Sequence, residues 1–177
     1  MHDELLKKYY FINSFDTNII NKQDKKTTFI YRDYKTSKFD TKKILKLKTF
    51  LKRRGNKFLL ANNFKMALKL KLDGVYLPSF NNKFDHLNYS TNSNFIILGS
   101  AHNLKEIKIK ETQRAQSIFI SSLFKKNNNF LGINKFKLIS SYSKKNIVAL
   151  GGISKKNIQM LRLLNISGFA GISFFEE

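Results

Sequence analysis

Short runs of apolar residues recur along the whole chain, and most are followed by a polar or helix-patterned segment before the next run begins. Such runs, rich in Phe, Ile, Val and Tyr, are typical of parallel strands that are buried on both faces and connected by helices. The pattern predicts eight strands, at Tyr9–Phe15, Thr28–Asp33, Lys57–Asn62, Gly74–Leu77, Phe95–Gly99, Ser117–Leu123, Asn146–Leu150 and Gly168–Phe174.

Five of the segments between these runs predict helices. The clearest is Asp40–Arg54, which has an apolar stripe of Ile, Leu and Phe at helical spacing, with Asp40 as a candidate N-cap and Gly55 after the last turn. Phe80–Asn94 is rich in Asn and Ser and predicts a loop with a helical turn. The other four helices are predicted at Phe64–Leu72, Leu104–Arg114, Ile133–Ser140 and Ser154–Leu164, the last with Ser154 as its N-cap.

Eight strands with interleaved helices predict an α/β fold, the (β/α)₈ or TIM barrel, although 177 residues is short for one. The shortfall has an expected place, because the sequence stops at Glu177 directly after the eighth run and leaves no room for an eighth helix. We therefore expect one domain, residues 1–177, that forms a compact barrel lacking its last helix. A seven-strand, open, doubly wound sheet is the alternative, and it also binds ligands at the carboxyl ends of its strands.

The missing helix has a second consequence. It should leave apolar barrel wall exposed, and a homodimer is one way to cover such a surface.

The chain carries 33 Lys and Arg against 12 Asp and Glu, a formal net charge of +21. This charge alone would indicate nucleic acid or a membrane surface as a partner. However, Lys, Asn, Ile, Phe and Tyr are all abundant, which is the bias of adenine- and thymine-rich codons, and the basic residues are spread from Lys7 to Lys156. Because no aromatic-basic motif of the RNA-binding kind is present, nucleic acid is kept only as an alternative.

Cysteine is absent, which excludes disulfides, thiolate metal sites and a cysteine nucleophile. The first residues lack the basic-then-apolar order of a signal peptide, and no apolar run approaches the length of about eighteen residues that a membrane span needs. We therefore expect a cytoplasmic protein with no membrane partner.

The residues that directly follow the apolar runs are the candidates for chemistry, because either architecture binds ligands at the carboxyl ends of its strands. Cations, amides, hydroxyls and glycines dominate there, and only Asp33 and Asp85 supply carboxylates near this edge. Such a lining favours a phosphorylated small molecule as ligand. The candidate positions are Arg32, Lys35, Asn62, Asn81, Ser100, His102, Lys125, Lys126, Gly151, Gly152 and Ser173.

Several of these residues also have an interpretation that requires no ligand. The Gly151-Gly152 pair is equally typical of a tight turn that lets the following segment pack closely. Lys125 and Lys126 fit a solvated loop, and His102 fits a contact with the first turn of the next helix. The joint placement of the candidates, rather than any one of them, favours a phosphate site.

The carboxyl-terminal motifs resemble those of the thiamine-phosphate synthases and their thiazole-tautomerase relatives. Val148–Ile153 with Asn157 resembles the A-I-G-G-I strand and following Asn of that family, and Gly168–Ser173 resembles its G-V-A-V-I-S ending. The resemblance covers about residues 28–175. Further matches are Asp73–Leu77 for D-G-V-H-L, Ile97–His102 with Glu106 for the G-x-S-x-H segment, and Tyr31-Arg32 for the L-R of Q-L-R-E-K.

This resemblance implies a (β/α)₈ barrel that joins an aminopyrimidine diphosphate to a thiazole phosphate and releases pyrophosphate with the help of Mg²⁺. It implies that Arg32 and Lys35 face the diphosphate and that Ser100 touches the pyrimidine side. The thiazole phosphate would be held by the turns that follow the last two strands, through Gly152, Ile172 and Ser173.

The sequence departs from the family at the implied Mg²⁺ site and elsewhere. Asn62 and Asn81 stand where two Asp residues hold the metal, and an amide oxygen lacks the charge of the carboxylates that usually bind Mg²⁺. The Gln and Lys of Q-L-R-E-K fall at Ile30 and Tyr34, and the histidine of the tautomerase branch falls at Ser122. No residue is assigned a catalytic role.

Two alternatives to a divergent synthase therefore stay open. The first is a non-catalytic or tautomerase-like paralogue that binds a thiazole phosphate or a thiamine precursor. The second is a basic nucleic-acid-binding protein.

Overall fold

The computed structural model describes residues 6–34 and 40–177. Its strands pair in parallel in the order in which they occur along the chain, and the eighth pairs with the first, so that the barrel is closed. The predicted (β/α)₈ barrel is thus confirmed, with a strand at each of the eight apolar runs. The strands are β1 (Lys7–Ile12), β2 (Thr28–Tyr31), β3 (Phe58–Ala61), β4 (Gly74–Leu77), β5 (Ile96–Ala101), β6 (Ser117–Ile120), β7 (Asn146–Leu150) and β8 (Gly168–Gly171).

Helices follow most of the strands. They are α1 (Thr17–Asn21), α2 (Thr41–Arg54), α3 (Phe64–Lys69), α4 (Leu104–Thr112), α5 (Gly132–Ser141) and α6 (Ser173–Glu176), with 3₁₀ turns at Asp85–Asn88 and Ile158–Leu163. The predicted caps of α2 are confirmed, because the side chain of Asp40 accepts from the N–H of Lys43 and Gly55 has φ +81°. Among the described residues, none of the helices has the length and apolarity that a membrane crossing requires.

Some local predictions differ from the structure. The eighth strand, predicted at Gly168–Phe174, ends at Gly171, and Ser173–Glu176 is helical. Helix α1 was not predicted, although Asp16 caps it by accepting hydrogen bonds from the N–H groups of Asn18 and Ile19. The segment predicted as a helix with Ser154 as its N-cap forms a 3₁₀ turn that begins only at Ile158. There Ser154 is a donor instead, because its N–H donates to Oδ1 of Asn157 at 2.9 Å.

Alternation along the strands sorts the apolar side chains into two layers. One layer fills the barrel interior, and the other packs between the strands and the helices. In the interior, the rings of Tyr9 and Tyr76 lie 4.9 Å and 5.4 Å from that of Phe119, centroid to centroid. Because aromatic rings fill the middle of the barrel, ligands have access only to its two ends. The inward-facing residues are Tyr9, Phe11, Ile30, Leu59, Ala61, Tyr76, Leu98, Phe119, Val148 and Ala170.

A single helical turn, α6, follows β8 where most barrels have a full helix. Its Phe174 and Phe175 pack on Phe169 of β8, with ring centroids 4.8 Å and 6.0 Å away, and Phe175 also stacks on Tyr10 of β1 at 4.8 Å. Phe169 is consequently buried. The barrel wall that was expected to be exposed is covered at this strand, and the homodimer inferred from it stays a prediction.

Candidate functional site at the carboxyl ends of the strands

Arg32 follows β2 at a position that faces the barrel axis, two residues beyond the inward-facing Ile30. Its guanidinium carbon lies 4.7 Å from the ring centroid of Phe11 and 6.0 Å from that of Tyr34. Such cation–π contacts hold a guanidinium in place without using its N–H donors. Arg32 is therefore a positioned cation at this end of the barrel, and its role in binding an anion stays a prediction.

Tyr76 and Ser100 form the floor of the site. Both are buried. Burial raises the pKa of Tyr76 to about 12, although the neighbouring Ser100 hydroxyl and the charge of Arg32 act in the opposite direction. Ser100, a candidate for contact with the ligand, is thus placed beside Tyr76 in the barrel interior.

The turns after β7 and β8 lie side by side. Leu150 pairs with Ala170, so that Gly152 and Ile172 are neighbours just beyond the ends of the two strands. Gly152 is exposed with φ +73°, and Nδ2 of Asn157 donates to its carbonyl oxygen at 2.8 Å, which fixes the peptide. Within the described residues, the N–H groups of Gly152, Ile172 and Ser173 form no hydrogen bond. Three exposed donors are thereby gathered at adjacent strand ends.

The loop after β6 packs directly on the Gly151-Gly152 turn. The N–H of Phe124 donates to the carbonyl of Gly151 at 2.8 Å, and a Cβ on Gly152 would lie 2.5 Å from the backbone nitrogen of Lys125. Both glycines are therefore required by this close approach, whatever the turn binds. The same contact places Lys125 and Lys126 beside the turn, with exposed side chains.

The two asparagines at the implied metal position are hydrogen-bonded to each other. Nδ2 of Asn81 donates to Oδ1 of Asn62 at 2.7 Å. Oδ1 of Asn81 in turn accepts from the N–H of Lys83 at 3.0 Å and from Nε2 of Gln113 at 3.3 Å. Both amide oxygens that would coordinate a cation are thus already used as acceptors.

No other described side chains provide that metal site. The parts of the chain that the structure describes contain no group of three or more His, Asp and Glu side chains that could hold a metal ion. Mg²⁺ requires oxygen ligands that are free to coordinate it, and carboxylates are its usual ones. The residues present therefore do not fit a Mg²⁺ site.

A buried lysine lies behind Asn81. Nζ of Lys110, on α4, donates to the backbone carbonyl of Asn81 at 2.6 Å and to Oε1 of Gln113 at 2.9 Å. Burial lowers the pKa of Lys110 to about 8, against the opposite effect of Glu106. Sequence reasoning missed Lys110 and Gln113, because neither is near a strand end along the chain, and a lysine on a helix usually indicates a solvated face.

His102 belongs to a helix cap. Its Nδ1 lies 3.0 Å from Oε2 of Glu106, which also accepts from the His102 N–H at 2.7 Å. Asn103 completes the cap by accepting from the N–H of Glu106. The alternative in which His102 contacts the first turn of α4 is therefore confirmed.

A cavity of about 490 Å³ opens between the ends of β1, β2 and β8. Arg32, Tyr34 and Ile172 line it, together with the carboxylates of Asp16, Asp33 and Glu176. The structure thus brings the predicted cation and the β8 turn to one cavity. Lys35, the second predicted cation of this region, lies outside the described residues.

Comparison with known proteins points to one family. The family described as thiamine monophosphate synthase matches residues 19–175. The thiamine-phosphate synthase of Methanococcus vannielii is 28% identical over 124 residues, which cover 66% of this chain and 58% of that protein. That of Methanococcus maripaludis (strain S2) is 36% identical over 84 residues, which cover 45% of this chain and 41% of that protein. The chain thus matches about half the length of these curated relatives.

A solved structure gives the same fold. The thiamine phosphate pyrophosphorylase of Pyrococcus furiosus matches with a TM-score of 0.70 and 20% sequence identity. The match covers 98% of this chain and 92% of that one. The two proteins therefore share the barrel fold over almost the whole length of both chains.

Proposed function

The chain belongs to the thiamine monophosphate synthase family, and on that premise we propose that it joins an aminopyrimidine diphosphate to a thiazole phosphate and releases pyrophosphate. The reaction brings two phosphorylated substrates together, so it needs two anion positions at one end of the barrel. The observation that carries the proposal is that Arg32 and Ile172 of the β8 turn line the same cavity, while the Gly152 turn after β7 lies beside the β8 turn.

The thiazole phosphate is assigned to the turns after β7 and β8. The exposed N–H groups of Gly152, Ile172 and Ser173 match the need of a phosphate for several converging donors. Asn157 keeps the Gly152 peptide in one orientation through its bond to the carbonyl oxygen. The hydroxyl of Ser173 adds a further donor at the same place.

The diphosphate is assigned to Arg32. A leaving pyrophosphate gains negative charge as its bond to the pyrimidine substrate breaks, and a guanidinium can form two parallel hydrogen bonds to it. Lys125 and Lys126 supply two more positive charges at this end of the barrel, and the sequence predicts Lys35 as a third.

The aminopyrimidine ring is assigned to two aromatic side chains at the rim. Tyr34 and Phe80 are 47% and 61% exposed, and their rings meet edge to face with centroids 5.5 Å apart. Exposed rings of this kind offer a surface against which a flat heterocycle can stack. Because Arg32 lies 6.0 Å from the Tyr34 ring, a pyrimidine there would keep its diphosphate beside the guanidinium.

We propose further that this site acts without Mg²⁺. The support is the Asn62–Asn81 hydrogen bond, which replaces a pair of carboxylates, and the Lys110 amine behind it. Negative charge on the diphosphate would then be compensated by Arg32 and the lysines rather than by a metal ion.

The test is an assay of the purified full chain with both precursors, in excess EDTA and again in millimolar Mg²⁺. We expect thiamine phosphate to form at similar rates in both. A synthase that works only with Mg²⁺ would contradict the metal-free part of the proposal. Absence of product under both conditions would contradict the synthase itself.

The replacement of both carboxylates favours one second candidate, a paralogue that binds without turnover. It predicts saturable binding of thiazole phosphate in a calorimeter and no product in the same assay. A phosphorylated small molecule is the proposed partner in both cases, and the cytoplasmic location stays a prediction of the sequence.

A further inference from the structure

A second cavity opens at the opposite end of the barrel, where the strands begin. It has a volume of about 430 Å³, and four lysines line it, Lys7, Lys25, Lys26 and Lys57. Amide side chains of Gln116 and Asn146 complete its polar rim, and the residues of its lining that the structure describes include no Asp or Glu. We call this feature the amino-terminal cavity.

The alternation of side chains along the strands explains the positions of two of the four lysines. Lys7 lies two residues before the inward-facing Tyr9, and Lys57 lies two residues before the inward-facing Leu59. Side chains two apart on a strand share a face, so both lysines project towards the barrel axis. Their ammonium groups therefore converge on one opening.

The other two lysines lie on a turn that a buried side chain holds in place. Nδ2 of Asn56, a buried residue, donates to the carbonyl oxygens of Asp24, Lys25 and Thr27 at 3.0, 3.0 and 2.9 Å. Fixing three carbonyls of one turn fixes the backbone from which Lys25 and Lys26 extend. The backbone positions of these two lysines at the rim are thus fixed.

The carboxylate nearest in sequence, Asp24, is not among the described residues that line the cavity, although the backbone N–H of Lys26 and the charges of Lys8 and Lys26 help to lower its pKa. Oδ2 of Asp24 lies 3.4 Å from Nζ of Lys8, and its Oδ1 accepts from the backbone N–H of Lys26 at 2.7 Å. Lys8 lies between Lys7 and Tyr9 on β1, so its side chain is on the opposite face of the strand, and it does not line the cavity. Four positive charges around one recess, with no carboxylate among the described residues that line it, create a potential that attracts multiply charged anions.

We propose that the amino-terminal cavity binds a small oligophosphate anion. Lysine is a common ligand of phosphate, and the neighbouring amide groups can donate further hydrogen bonds to phosphate oxygens. The volume is within the range of small-molecule sites. Cations and amides dominate the described lining, so the role we assign to the cavity is binding. It is separated from the carboxyl-end site by the aromatic interior of the barrel.

The test is calorimetric titration of the full chain with inorganic tripolyphosphate at about 0.15 M ionic strength, where long-range charge effects are largely screened. The double variant Lys26→Gln/Lys57→Gln should bind at least about tenfold more weakly than the wild type, a change that corresponds to about 1.4 kcal/mol. The matched control is Lys65→Gln/Lys135→Gln, which removes the same charge from exposed positions on α3 and α5. This control should retain the wild-type affinity.

Equal weakening in both double variants would show that net charge alone is measured, and would overturn the proposal. So would tighter binding of a single-stranded oligonucleotide that competes for the same lysines. An Arg32→Gln background separates the two ends of the barrel, because it should remove binding at the carboxyl-end site and leave the tripolyphosphate affinity of the amino-terminal cavity unchanged. Synthase activity should be unaffected by the Lys26 and Lys57 changes.

Discussion

Arg32 is the single residue on which the proposed chemistry depends most. Its guanidinium is held against Phe11 and Tyr34, so its donors are oriented before a ligand arrives. Arg32→Lys keeps the charge but loses both the stacked plane and the two-pronged hydrogen bonding. We expect about tenfold weaker binding of pyrophosphate, close to 1.4 kcal/mol, measured by calorimetry in the Lys26→Gln/Lys57→Gln background.

The control for this experiment is Arg53→Lys, a change of the same type at an exposed position on α2. It should leave pyrophosphate affinity as it is in the background protein. If Arg32→Lys also binds normally, the arginine acts only as a diffuse charge, and the assignment of the diphosphate to this position is wrong.

The Asn62–Asn81 pair determines whether the site accepts a metal. Restoring both acids, in Asn62→Asp/Asn81→Asp, removes the 2.7 Å hydrogen bond and sets two carboxylates against each other. We expect this variant to be less stable than the wild type by about 1–3 kcal/mol without metal, because like charges meet and a hydrogen bond is lost. Added Mg²⁺ should recover that stability in a thermal melt, since a ligand of the folded state stabilises it.

Asn134→Asp/Asn165→Asp is the matched control, with the same change of charge at two exposed positions. Mg²⁺ should leave its melting temperature, and that of the wild type, unchanged. A rise in the melting temperature of the wild type with millimolar Mg²⁺ would mean that the asparagines exchange their hydrogen bonds for the metal.

At the scale of elements, Lys110 couples α4 to the loop that follows β4. In the folded protein its pKa is about 8, below the usual 10.5, because burial disfavours the ammonium form. Between these two values the unfolded chain holds a proton that the folded chain has lost. Stability contributed by this residue should therefore rise as the pH increases from about 8 towards 10, by on the order of 2 kcal/mol.

Lys110→Met isolates this effect, because methionine fills a similar volume without titrating. The difference in unfolding free energy between wild type and Lys110→Met, from denaturant titrations at several pH values, should change in favour of the wild type as the pH rises. A difference that is constant across this range would show that Lys110 keeps its usual pKa. Lys108→Met, at an exposed neighbouring position of α4, is the control and should give a constant difference.

The elements themselves were largely predictable from the sequence. Each strand is a short buried run, and burial on both faces of a parallel sheet requires an apolar run whatever the neighbouring elements are. The segment after β7 was harder to predict. Both Ser154 and Asn157 have side chains that can accept a hydrogen bond from a backbone N–H, and the local geometry makes Asn157 the acceptor. Helix α1 was not predicted, although Asp16 directly precedes Thr17–Asn21 and is an ordinary N-cap signal.

The site was predictable only in part. Residues that directly follow strands, such as Arg32 and Gly152, could be found because topology alone sends them to one end of the barrel. The partners of Asn81 could not be found in this way. Lys110 and Gln113 reach it from the next helix, through contacts that no local pattern encodes.

At the scale of the whole molecule, the barrel has two polar ends separated by an apolar interior. The carboxyl end combines one positioned arginine with exposed amide groups, whereas the amino-terminal end gathers four lysines around one cavity. The net charge of +21 makes both ends attractive to anions at long range, so only matched variants separate local binding from the general field.

The same charge has a consequence for stability. A net charge of +21 means that the like charges of the folded chain repel each other, and salt screens that repulsion. We expect the melting temperature to rise by several degrees between about 10 mM and 300 mM NaCl, consistent with a gain of about 1 kcal/mol for a domain of this size. Tripolyphosphate at equal ionic strength should raise it further, since it occupies the amino-terminal cavity as well as screening. If the two salts act equally, screening accounts for the whole effect and the cavity has no special affinity for this anion.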